Sequence, residues 1–280
     1  MRGMQLFAAV VLLICPALVR AEPVQIKPSL LRLNANLELP TGRTESDPVA
    51  LILHAALSHH RQDTVAALQD NLKQRGIGSL AITLSLGVDD RHGPRACDVV
   101  HDYALAGARR EIELWIAWLK TRGTPTVDLI GYSRGGVQVA ALAPDLPVRK
   151  VVLMAPAFNT AADLAKNYRR NFGHDLAPLL DAARAQPLQL LTADFLLCKQ
   201  AQVLGATFLD GYAERPLQLA EATGKPTLVV IAGNDEVVRN LGDRLPAGVR
   251  RVSTDGANHL FSGRYGEDAA EAIAKFLKEP

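Results

Sequence analysis

From about residue 30 onward, short runs of consecutive apolar residues alternate with stretches in which apolar positions recur every three or four residues. Leu31–Leu39 alternates apolar and polar and stops at Pro40, which predicts an antiparallel edge strand. Val49–Leu53 is continuously apolar, the pattern of a strand buried on both faces. Val65, Leu68 and Leu72 then fall at helical spacing, with Gly76 placed to cap the helix. Leu80–Leu84 predicts the next strand, and Leu105, Ala108, Ile112, Trp115 and Leu119 mark one face of a longer helix stopped at Gly123. Val127–Ile130, Val151–Met154, Thr227–Ala232 and Val249–Ser253 read as four more strands. A last helix carries Ile273, Phe276 and Leu277 on its apolar side.

This alternation predicts an α/β fold with a mostly parallel sheet and helices on both faces. One interval breaks the rhythm. Between Met154 and Thr227 the pattern stays helical for far longer than an ordinary crossover. Residues 157–222 are therefore expected to form a helical cap over the carboxyl edge of the sheet, where α/β folds bind ligands. Residues 22–280 otherwise read as one domain.

The amino terminus carries a different signal. Arg2 precedes the apolar run Leu6–Val19, and Val19-Arg20-Ala21 offers a cleavage site before Glu22. The run is shorter than the about 20 residues of a spanning helix and contains Pro16. Residues 1–21 are thus read as a cleavable signal peptide, and the mature chain is expected in the periplasm or outside the cell. Removing them lowers Lys plus Arg from 31 to 29, equal to the 29 Asp plus Glu. A neutral chain without basic blocks has no electrostatic footprint for nucleic acid or anionic membrane. Of the 3 cysteines, Cys15 leaves with the leader. Cys97 and Cys198 are then expected to pair in an oxidising compartment, tying the segment before the second long helix to the cap.

Chemistry enters at Gly131-Tyr132-Ser133-Arg134-Gly135, a G-x-S-x-G motif directly after a strand and before the helical run Val137–Ala143. In that setting the turn is so tight that its flanking residues must be small, and it presents the serine hydroxyl at a helix N-terminus. The glycines miss the G-x-G-x-x-G spacing of a dinucleotide site. A serine needs an imidazole to take its proton, and only His174 and His259 of the 7 histidines follow Ser133. His174 lies in a polar stretch of the insertion and reads as a loop residue, whereas His259 falls between the last strand and the last helix. His54, His59 and His60 cluster in sequence, yet lack a Cys or carboxylate partner at a metal-ligand spacing.

With these elements the chain resembles the α/β-hydrolase family over essentially its whole predicted mature length. The resemblance rests on the elbow Gly131–Gly135, on Val49–Leu53 running into His54-Ala55-Ala56, on Gly233-Asn234-Asp235, and on Gly256-Ala257-Asn258-His259. It implies Ser133 as nucleophile, Asp235 as acid and His259 as general base, with Glu236 the alternative acid if the glycine-to-acid spacing is one longer. It also implies an oxyanion hole from the backbone N–H groups of Arg134 and Ala56, with Ala55 adjacent, where the family usually has His-Gly and this chain has His54-Ala55. No cofactor is implied. The expected activity is cleavage of a small-molecule carboxylic ester through an acyl-enzyme. The same triad would also serve a thioesterase, a lipase or a peptidase, and an inert scaffold that binds a ligand or partner under the cap is the reading from a different class.

Overall fold

The computed structural model describes residues 22–280; the expected leader and its cleavage site lie outside the described residues. The chain begins with β1 (Glu22–Ile26), β2 (Leu33–Glu38) and β3 (Val49–Leu53), followed by α1 (Asp63–Gln74), β4 (Gly78–Thr83) and α2 (Leu105–Thr121). Then come β5 (Val127–Tyr132), α3 (Arg134–Leu142), β6 (Val151–Met154), α4 (Ala161–Phe172), α5 (Ala177–Ala185), β7 (Leu190–Phe195), β8 (Cys198–Leu204) and α6 (Gly205–Gly211). β9 (Thr227–Ala232), α7 (Leu241–Arg244), β10 (Arg251–Thr254) and α8 (Arg264–Lys278) complete it.

Eight strands form one sheet in the order β1-β2-β4-β3-β5-β6-β9-β10. β1 and β2 are antiparallel to their neighbours, and every pairing from β4 onward is parallel. The continuous apolar runs behave as their pattern requires, since each residue of β3, β4, β5 and β6 is buried. Val49, Leu51 and Leu53 face the core shared with α2 and α3, while Ala50 and Ile52 face the core shared with α1 and α8. Trp115, fully buried on α2, fills the first of these cores.

Two sequence expectations are corrected. The strand read at Leu31–Leu39 is antiparallel but is not the edge: β1 pairs outside it, from Glu22↔Leu37 to Ile26↔Leu33. That segment is mostly exposed, with Val24 as its one buried residue, so it carries almost no hydrophobic signal. The long interval after β6 is also not purely helical. It contains the β7–β8 hairpin, a separate two-stranded sheet. Exposed Leu190 and the irregularity between Ala193 and Phe195 blur its alternation, which is why periodicity missed it.

The chain between β6 and β9 is held by its own aromatic centre. Tyr212 meets the rings of Tyr168, Phe195 and Phe208, and Phe195 meets Phe208, with Tyr168–Tyr212 centroids 5.3 Å apart and Phe208–Tyr212 centroids 4.9 Å apart. Gly211 makes this possible, because a Cβ there would stand 2.3 Å from the Phe195 ring. The anticipated Cys97–Cys198 disulfide is present, with Cα atoms 5.3 Å apart. Beside it His101 pairs with Val203, its N–H donating to Gln202 and its carbonyl accepting from Leu204, both at 2.8 Å.

Candidate active site

β5 ends in a turn whose glycines are dictated by backbone contact. A Cβ on Gly131 would lie 2.3 Å from the Gly135 carbonyl oxygen, and one on Gly135 would lie 2.5 Å from that of His54. Between them Ser133 is held at φ 55°, ψ −116°, a conformation that L-residues rarely adopt. The Ser133 N–H donates to Met154 in the neighbouring β6, and its carbonyl receives Gly136 and Ala157. The loops after β3, β4 and β6 carry positive φ as well, at Leu57, Leu86 and Ala155, so backbone strain gathers along one edge of the sheet.

Ser133 and His259 are 8% and 6% exposed, just open at that edge. His259 Nε2 lies 2.9 Å from Ser133 Oγ, and His259 Nδ1 lies 2.8 Å from Asp235 Oδ2. Because the carboxylate only accepts, Nδ1 carries the proton and Nε2 is left free to accept from the hydroxyl. Asp235 is fixed in turn by Val237 and Val238, whose N–H groups donate to its Oδ1 at 2.8 and 2.6 Å.

Glu236, the alternative acid, does a different job: its Oε2 accepts the backbone N–H of His259 at 3.1 Å. Tyr132 donates its hydroxyl to the His259 carbonyl at 3.0 Å, and Thr64 donates to the Leu260 carbonyl at 3.1 Å. Burial pushes the Tyr132 phenol up to about 12, so it stays a donor. These three supports were not legible in the sequence. Tyr132 was visible only as the variable residue of the elbow motif.

On the other side of Ser133, the loop after β3 presents Ala55 and Ala56. Ala55 has no positive φ, so the alanine that replaces the family's glycine meets no steric objection; the left-handed residue is Leu57. The Ala55 carbonyl accepts from Ser58 N–H at 3.2 Å and from His54 Nδ1 at 2.7 Å. Leu84 N–H and Arg91 Nη2 both point at His54 Nε2, each at 3.2 Å, which forces the proton onto Nδ1. Burial, with the Arg91 charge second, pushes His54 down to about 3, so it stays neutral. Since Ala55 C=O and Ala56 N–H belong to one peptide plane, His54 fixes the direction of the Ala56 N–H. Among the described residues, neither Ala56 N–H nor Arg134 N–H has a protein acceptor.

His174 is an exposed loop residue, as read, paired with Asp194 at 2.9 Å. His60 is buried against Thr83, and no cluster of metal-ligating residues occurs among the described residues.

A strained serine between parallel strands, hydrogen-bonded to an imidazole from a later strand-end loop, is the architecture of an α/β hydrolase. The model of the alpha/beta hydrolase family matches residues 50–276, and the chain belongs to that family. Solved structures similar to it include Est1E from Butyrivibrio proteoclasticus, at 19% identity and TM-score 0.64 over 92% of this chain and 99% of that one. An alpha-beta serine hydrolase homologue from Coxiella burnetii matches at 18% identity and TM-score 0.58, covering 91% and 97% of the two chains. The Pyrococcus furiosus esterase Pf2001 matches at 15% and 0.60, covering 93% and 90%. No curated protein matches the chain in sequence.

Proposed function

We propose that this hydrolase is an exported serine esterase. Ser133 Oγ attacks the carbonyl carbon of a carboxylic ester as its proton passes to His259 Nε2. Asp235 keeps the imidazole in that tautomer and stabilises the imidazolium. The developing oxyanion is received by the N–H groups of Arg134 and Ala56. Collapse expels the alcohol, which takes the proton from His259, and leaves an acyl group on Ser133. Water, deprotonated by the same imidazole, then releases the acid and restores the serine. Ester and water become acid and alcohol with no cofactor in the balance.

The observation that carries the reading is the unbroken relay from Ser133 Oγ through His259 to Asp235, at 2.9 and 2.8 Å. The esterase name of the similar Pyrococcus furiosus structure agrees with it. A fluorophosphonate probe read by mass spectrometry tests it directly. Labelling of Ser133, with hydrolysis of a p-nitrophenyl ester lost on labelling, is the expected result; a folded protein that neither labels nor hydrolyses would point to the inert scaffold. Export rests on the leader-like residues 1–21 and is consistent with the disulfide. The intact mass of the protein recovered from an exporting host should begin at Glu22.

A further inference from the structure

Behind the proposed oxyanion donor Ala56 runs a chain of hydrogen bonds that ends on a buried cation. The turn of residues 54–57 is held at both ends by the loop between β4 and α2 (residues 84–104). Arg95 N–H donates to the Leu57 carbonyl at 2.7 Å, and Arg91 Nη2 donates to His54 Nε2 at 3.2 Å. On its other side the turn lies against the elbow: Leu53 stands opposite Gly131 in the sheet, and a Cβ on Gly135 would meet the His54 carbonyl at 2.5 Å. Arg91 is 6% exposed and His54 2%.

The other hydrogen bonds of Arg91 go to backbone carbonyls, from Nε and Nη2 to Leu84 and from Nη1 to Gly93. Glu111, the acid whose charge Arg91 feels, is held instead by the N–H and the hydroxyl of Ser85. Carbonyls take up a guanidinium's protons without cancelling its charge, and such a charge is costly to bury. The imidazole contact gives that charge a direction. His54 Nε2 accepts from Arg91 and from the Leu84 N–H, so Nδ1 donates to the Ala55 carbonyl at 2.7 Å. That carbonyl shares its peptide with the Ala56 N–H. The donors therefore all run in one sense, from guanidinium through imidazole and peptide towards Ser133. Hydrogen bonds aligned in this way polarise one another. A cation at the far end of such a chain counts most where negative charge develops in a dry site.

We propose that Arg91 is a positioning residue of the reaction: through His54 and the Ala55–Ala56 peptide it orients and strengthens the Ala56 N–H as a donor to the tetrahedral oxyanion. The proposal rests on the serine-esterase reading and adds to it a buried cation that acts through two other groups. Such a relay works on the transition state and leaves binding of the unreacted ester alone. A residue that only holds the loop together has no such preference.

The test measures kcat on a p-nitrophenyl ester, per Ser133 labelled by fluorophosphonate, in Arg91→Lys, Arg91→Gln and Arg91→Met. Arg91→Met should lower kcat by about tenfold, the lower range for a hydrogen bond to a charged group. Lysine keeps a donor and the charge, and glutamine keeps a donor alone, so kcat should fall in the order Arg, Lys, Gln, Met. Affinity for a trifluoromethyl ketone, whose adduct with Ser133 carries an oxyanion, should fall by the same factor as kcat. Binding of the unreacted ester to Ser133→Ala should be unchanged, within about twofold, when Arg91→Met is added. Added to His54→Ala, Arg91→Met should cost less than about threefold further, because the relay is already cut. Arg149→Met, which opens the 2.7 Å ion pair to Asp128 at the opposite end of β5, should lower stability with kcat unchanged. Should Arg91→Met not fold, the Lys and Gln variants carry the same comparison. If the Arg91 variants match wild type in kcat and ketone affinity while Ser133 labels, the relay is wrong and the esterase reading stands. Full additivity of Arg91→Met with His54→Ala overturns it equally. A wild type that neither labels nor hydrolyses removes both readings.

Discussion

The strand-end loops and the segment between β6 and β9 are built in opposite ways. Ser133, Ala56 and Asp235 lie within a few residues of buried parallel strands, and their loops are tied to neighbouring strand ends by backbone hydrogen bonds. The segment between β6 and β9 instead makes its own small sheet and its own aromatic centre. It joins the sheet domain through a shared apolar core, in which Phe195 meets His101 and Tyr103, and through separate ties: the Cys97–Cys198 bond, the His101–Val203 pairing, Arg134 to Gly211, and Arg244 to Asp163 at 2.6 Å. Precision is therefore concentrated on the side that holds Ser133 and His259, while the other side packs on the shared core and adds ties that can be cut singly. Local stability is expected to follow the same division.

The largest expected effect falls on the precise side. Ser133→Ala should lower ester turnover by at least about a thousandfold with little change in the unfolding midpoint, measured on highly purified protein. Wild-type rates in that variant would dissociate the chemistry from the elbow. Asp235→Asn should cost on the order of 10⁴-fold in kcat, because only a carboxylate at Nδ1 holds the working tautomer. Glu236→Gln should cost less than about tenfold, since an amide oxygen still accepts the His259 N–H. A reversed ranking would exchange the roles of the two acids.

Cutting a tie should do the reverse. Cys97→Ser with Cys198→Ser opens a crosslink spanning 101 residues in sequence. The chain-entropy account puts the loss of stability at up to about 4.7 kcal/mol. Urea unfolding should show this loss, with kcat on a small neutral ester within about threefold of wild type if the ties are independent of the reacting atoms. A collapse of kcat without loss of stability would mean that this segment positions the chemistry itself.

His54→Ala tests the precise side more gently. Freeing the Ala55 carbonyl should lower kcat by about tenfold to a hundredfold, less than removal of an oxyanion donor, with KM nearly unchanged. Equal losses in kcat and in binding of the unreacted ester would contradict a positioning role.

The last test compares the two regions by pH. Burial pushes His54 down to about 3, and His60 and His101 down to about 4, from an ordinary 6.5. The unfolded chain takes up these protons below pH 6.5 and the native chain does not. Stability should thus fall as pH drops from 6.5 towards 4, by up to about 1.4 kcal/mol per pH unit for each histidine. His101→Gln, at the tie to Val203, should remove about one proton from that slope. A urea midpoint no lower at pH 5 than at pH 7 would show that these imidazoles are not neutral in the native state.

Much of this arrangement could be read before folding. Seven of the sheet's eight strands were legible: β3, β4, β5, β6 and β9 as apolar runs, because burial on both faces leaves little room for polar residues, β2 by its alternation, and β10 only approximately. The elbow was legible because steric exclusion at Gly131 and Gly135 writes itself into the residue type. β1 and the β7–β8 hairpin were not, since exposed or interrupted strands have no such signature.

The sequence alone therefore determined the residue types that sterics and burial allow no substitute for: the elbow glycines, the core strands and the order of Ser133, Asp235 and His259. The tertiary structure decided what depends on direction. Only it could turn Asp235 rather than Glu236 to the imidazole and set His54 behind the Ala55 carbonyl. Hydrogen bonds and charge act through geometry at a few ångströms, and that geometry is absent from a one-dimensional pattern.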